Sequence, residues 1–101
     1  MDNATSKPET EAIAMQKVNF RAEIFREGGL YVALCPELNV SSFGKTVDEA
    51  RNSLQEAVEA FIEECEVMGT LEEVLEESGF VKEGSVWITP KPIKEELLFV
   101  G

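Results

Sequence analysis

Between Val18 and Met68 the apolar residues change their spacing once, and the change falls at Thr46. Ahead of it they recur at every second position. Val18, Phe20, Ala22 and Ile24 alternate with Asn19, Arg21, Glu23 and Phe25, and Leu30, Val32 and Leu34 alternate with Tyr31, Ala33 and Cys35. Period two is the signature of half-buried strands, and a short third strand is expected at about Val40 to Phe43. From Thr46 onward the spacing becomes three and four: Val47, Ala50, Leu54, Ala57, Val58, Phe61, Ile62, Cys65 and Met68 form one stripe, closed by Gly69. Strands followed by a helix whose stripe must lie on them define an α+β domain.

The punctuation between these segments fixes how they join. Pro36 lacks an N–H for a strand ladder, so the second strand ends at Pro36-Glu37-Leu38 and the third becomes an edge candidate. Thr46-Val47-Asp48-Glu49 has the form of a capping box, with Thr46 and Glu49 each expected to satisfy a free backbone N–H of the other. Asp48 and Glu49 also suit the positive end of the helix. The turn at Glu27-Gly28-Gly29 admits two registers. A two-residue turn pairs Glu27 with Leu30 and puts the aliphatic row of the first strand on the face of Tyr31 and Ala33. A three-residue loop, with Gly29 left-handed in a bulge, pairs Arg26 with Leu30. It merges Val18, Phe20, Ala22, Ile24, Leu30, Val32 and Leu34 into one apolar face, and is the favoured expectation.

Thr70-Leu71-Glu72-Glu73 repeats the capping-box form and leads to Gly79-Phe80, predicting a short second helix. A strand is expected at Val86-Trp87-Ile88. Pro90 and Pro92 then argue against a long central strand. Leu97-Leu98-Phe99-Val100 is expected to form a short strand or a docked arm, and otherwise to be an exposed apolar patch in want of a partner. Residues 1–16 are polar and aperiodic and are expected to form a disordered tail, which leaves 17–101 as a single domain.

Composition narrows function mainly by exclusion. Twenty acidic residues against nine basic ones give a net charge of -11, which repels phosphate backbones and attracts basic proteins. The sequence has no histidine, and its only aspartates are Asp2 and Asp48. The usual base of a nucleophile triad, the usual zinc ligands and an aspartate cluster for metal-assisted phosphate chemistry are therefore missing. No enzyme, metal or cofactor is expected. Cys35 and Cys65 are expected to be free buried thiols. No membrane span or signal peptide is recognised, so a cytoplasmic protein is expected.

The ordered set of Tyr31-Val32-Ala33, Pro36-Glu37-Leu38, Gly44 with Thr46, and Glu49-Ala50 resembles the HicB family of antitoxins. That family's pattern is an aromatic-Val-Ala strand, a Pro-Asp/Glu-Leu exit, a Gly-x-Thr step and an acidic helix start with Ala. Leu54, Glu56 and Ala57, then Leu75 with Gly79-Phe80, fit its later part, so the resemblance covers roughly residues 18 to 80. It implies a partial ribonuclease H-like unit: a three-stranded antiparallel meander, a helix packed on one sheet face, a short second helix, and a strand returning beside the first. It also implies a role in a type II toxin-antitoxin system, neutralising a small basic mRNA-cleaving toxin (HicA-like) if one is encoded nearby. Relatives that repress their own operon carry a helix-turn-helix or ribbon-helix-helix module after this unit. The residues following it here are too few for either, so direct DNA binding is not expected.

The expected activity is therefore protein binding, by a homo-oligomer (dimer or tetramer). The alternative is an orphan HicB-like interaction module without a toxin. Glu56, Glu59, Glu63, Glu64 and Glu66 form either a solvated helix face or a dock for a basic protein. The candidate partner interface is the sheet face not covered by the helix, assigned to Arg21, Phe25, Tyr31 and Ala33, with Phe25 opposite Tyr31 in the favoured register. The same face is equally expected to be covered by Trp87 or Leu97 to Val100 of its own chain.

Overall fold

The computed structural model describes residues 17–89 and 91–101, and the tail expectation for 1–16 lies outside them. The fold is α+β. Strands β1 (Lys17–Val18), β2 (Glu23–Glu27), β3 (Leu30–Cys35) and β4 (Val40–Gly44) precede helices α1 (Val47–Met68) and α2 (Leu71–Glu77). A hairpin of β5 (Val81–Glu83) and β6 (Val86–Ile88) follows. Two three-stranded sheets result, ordered β2-β3-β4 and β1-β6-β5.

The single strand expected from Val18 to Phe25 is divided between these sheets. Its second half, β2, pairs with β3. Its first half, β1, pairs in parallel with β6, and the Asn19 N–H extends the pairing to the Trp87 carbonyl at 2.8 Å. The returning strand is thus present, and β5 is an addition that the sequence reading lacked.

At the first hairpin the structure corrects the register. Glu27 pairs with Leu30, Arg26 with Tyr31, Phe25 with Val32 and Ile24 with Ala33, so the loop has two residues, not three. Gly28 carries the positive φ, +59°, and Gly29 does not. A positive φ at the first central position only is the pattern of a type II′ turn, whose twist suits the flanking strands. Ile24 therefore joins Tyr31, Ala33 and Cys35 beneath the helix. Leu30, Val32 and Leu34 lie on the opposite side with Phe25.

The physical reason lies in residue size. On the helix side the sheet offers Ala33 and Cys35, both fully buried, and Gly44, which pairs with Tyr31. These let α1 approach with Ala50, Leu54 and Val58, all buried. A Cβ on Gly44 would stand 2.5 Å from the Ala50 nitrogen and 2.6 Å from the Glu49 Cβ, so the close approach of helix start to sheet depends on glycine there. Gathering the largest aliphatic side chains on one face assumes that the core takes the bulkiest residues. Here the core side of the sheet combines Ala33, Cys35 and Gly44, which admit the helix, with Ile24, Tyr31 and Val40, which pack around it.

The four-residue connection Pro36–Asn39 places Asn39 in the left-handed region (φ 56°) and buries Leu38. Both helices end in glycine motifs. The Thr70 N–H donates to the Cys65 carbonyl and that of Gly69 to Glu66, while the Phe80 N–H donates to Leu75 and that of Gly79 to Glu76. Leu71, Leu75 and Phe80 continue the core to Trp87. Lys82 ties the last hairpin down, 3.8 Å from Glu72 and 5.7 Å from the centre of the Trp87 ring. Cys35 and Cys65 are free and buried, as expected.

Candidate functional site: an uncovered sheet face, an acidic helix surface and an apolar arm

With α1 on one side of the β2-β3-β4 sheet, the other side is open. Phe25, Leu30 and Phe43 are 50%, 38% and 63% exposed on it. Leu30, Val32 and Phe43, with Glu27, Ser41 and Ser42, line a shallow groove of about 300 Å³. Phe43 faces Val32 across β3-β4, as Phe25 does across β2-β3, so three adjacent strands contribute to one apolar strip.

Of the four residues assigned to this face from sequence, the structure leaves Phe25 and Arg21 accessible and removes the other two. Ala33 is fully buried under α1, and Tyr31 packs against the core. Phe25 and Tyr31 are therefore not cross-strand partners, because the two-residue turn moves Tyr31 to the helix side. Phe43 and Leu30 are the apolar members that sequence reasoning missed. The alternation Val40, Ser41, Ser42, Phe43 would have exposed Phe43 once β4 was paired in register with β3.

Arg21 holds a carboxylate pair. Its Nε and Nη2 donate to Glu37 Oε2 at 3.2 and 2.9 Å, and its Nη1 donates to Glu23 Oε2 at 3.3 Å. The Glu37 hydrogen bond and charge hold the Arg21 pKa above its ordinary value. Glu37 Oε1 is buried without a hydrogen-bond partner among the described residues, so the guanidinium takes up only one of its two oxygens. Glu23 and Glu37 are fourteen positions apart in the sequence. The turn after β3 brings Glu37 back beside the segment leading into β2, and the convergence is on a cation. Among the described residues no group of three or more Cys, Asp or Glu side chains is placed to hold a metal ion.

The second surface is acidic. Glu56, Glu59, Glu63 and Glu64 are exposed on α1, and Glu66 is partly so. Neither helix has a basic residue in its last turn, whereas α1 carries Glu63, Glu64 and Glu66 in its last two turns and α2 ends on Glu76 and Glu77. Carboxylates near a helix C-terminus meet the negative end of the macrodipole and are unfavourable there. Helix stability alone therefore does not account for their placement.

The third feature is residues 91–101, which carry no helix or strand. Ile93, Leu97, Leu98, Phe99 and Val100 are 81–103% exposed, so this segment neither docks on the core nor covers the sheet face. Of the outcomes weighed from sequence, it is the exposed apolar patch. No helix among the described residues is long and apolar enough to cross a membrane.

Comparison with protein-family models, with curated proteins and with solved structures finds no match to this chain.

Proposed function

We propose that this chain is a HicB-like antitoxin built on a partial ribonuclease H-like unit. It acts in the cytoplasm, binding and neutralising a small basic mRNA-cleaving toxin without catalysis of its own. The observation that carries the reading is the run of glutamates at the negative ends of both helices, on a chain of net charge -11. A cationic partner relieves the repulsion that these carboxylates suffer in the free protein, and the same field speeds encounter. The ordered motif from Tyr31 to Ala50 and the parallel return of β6 beside β1 agree with it. The two carboxylates that the fold brings together, Glu23 and Glu37, are bridged by the Arg21 guanidinium, which supports a binding role for this chain rather than a catalytic one.

Co-expression with a small basic ribonuclease, where the adjacent reading frame encodes one, followed by size-exclusion chromatography, tests the proposal. A stable complex that no longer cleaves RNA is expected. Replacing Glu59 and Glu63 together by Lys is expected to weaken it at least about tenfold, roughly 1.4 kcal/mol. Failure of the two proteins to co-elute sinks the antitoxin role. A second reading, an orphan interaction module without a toxin, is favoured by the exposed residues Leu97 to Val100, whose uncharged surface offers a basic partner nothing.

A further inference from the structure

Two unpartnered elements of this chain match each other. β4 is an edge of its sheet, and its five residues, Val40 to Gly44, include no charged side chain. The opposite edge, β2, carries Glu23, Arg26 and Glu27 among its five. Charged residues on an edge strand are the usual guard against further strand pairing, and β4 lacks them. Beside it opens the groove lined by Leu30, Val32 and Phe43. The matching element is the segment Leu97–Val100, four consecutive apolar residues without charge, exposed and free of the rest of the chain.

We infer that the protein dimerises by arm exchange: Leu97–Val100 of one copy adds as a strand along β4 of a second copy, with alternate side chains beside Phe43 in the groove, and reciprocally. Lengths agree, since four extended residues span about 13 Å against about 17 Å for β4. Charge selects the occupant. Two copies at -11 each repel over any broad face, so a self-contact must be made by their uncharged parts, and arm and groove are both uncharged but for Glu27 at the rim. A basic protein is drawn instead to the acidic surface of α1. Area reaches the lower end of what a specific interface needs: at on the order of 100 Å² per apolar side chain, two residues of each arm with Leu30, Val32 and Phe43 of the groove, counted for both copies, remove roughly 1,000 Å². The inference needs no toxin and stands apart from the antitoxin reading.

Light scattering coupled to size-exclusion chromatography on three full-fold proteins decides it: the unaltered chain, a variant stopped after Glu96, and Phe43→Ser. The arm touches nothing in the fold and Phe43 is largely exposed, so circular dichroism should show both variants folded. The unaltered chain is expected to be a dimer at about 50 µM, and each variant a monomer. Mixing the two variants is expected to restore a 1:1 pair, because one brings an intact groove and the other an intact arm. Its affinity should be at least about tenfold weaker than that of the unaltered dimer, since only one arm is seated. An unaltered chain monomeric at about 200 µM, as when the arm folds onto its own groove, overturns the inference. So does a dimer that survives loss of the arm, or a failure of the mixed variants to associate.

Discussion

Cys35 shows how one buried atom makes stability depend on pH. Burial between sheet and helix pushes its thiol up from the ordinary value of 9.0, and the Glu37 charge adds to this. Backbone N–H groups of Leu38 and Glu37, and the charge of Arg21, pull the other way. In the folded protein the thiol thus keeps its proton to higher pH than in the unfolded chain. Its contribution to stability is fully present below the unfolded value and is lost as pH rises through the folded one. Urea unfolding at neutral pH and at about pH 10 should therefore show a larger loss for the unaltered chain than for Cys35→Ala, which lacks only the thiol. An equal loss in both proteins would mean that the thiol is not held protonated.

At the scale of the element, the same four-residue form behaves differently at the two helix starts. Thr46 Oγ1 accepts from the Glu49 N–H at 3.0 Å, and Glu49 Oε1 accepts from the Lys45 N–H at 2.9 Å, one residue ahead of the expected donor. Thr70 makes no side-chain cap. Its hydroxyl turns back toward the Cys65 carbonyl at 3.5 Å, because a single left-handed residue, Gly69, separates α1 from it and its backbone finishes the preceding helix. Thr46→Ala is expected to cost about 1 kcal/mol in denaturant unfolding, and Thr70→Ala less than about 0.5 kcal/mol. Local sequence thus announced both helices and the Pro36 break, since each is decided within a few residues. It did not announce which capping bonds form, because that depends on what the flanking element has already claimed.

Across the whole molecule, the part of the candidate site hidden from sequence was the face on which each apolar residue lies. One residue of loop length at Gly28-Gly29 inverts every assignment on β2 relative to β3, and both registers leave respectable apolar faces. Only the packing of α1 on Ala33, Cys35 and Gly44 separates them, a three-body condition that no pattern within one strand contains. The consequence is measurable in stability. Tyr31→Ser, which removes a ring packed on the core, is expected to cost about 2 kcal/mol, whereas Phe25→Ser on the open face should stay within about 0.5 kcal/mol at concentrations where the protein is monomeric. Comparable losses for the two variants would contradict the observed register.

The parallel pair of β1 with β6 sets an order of events during synthesis. Strands β2, β3 and β4 and helix α1 are contiguous in sequence and make local contacts, so this unit can assemble as soon as its residues are free of the ribosome. Lys17 and Val18, made earlier than all of it, pair with Val86 and Trp87, with nearly the whole described chain between them. The first strand among the described residues is thus seated late, and Trp87, among the most completely buried side chains, enters the core only after α1 and α2 have been made.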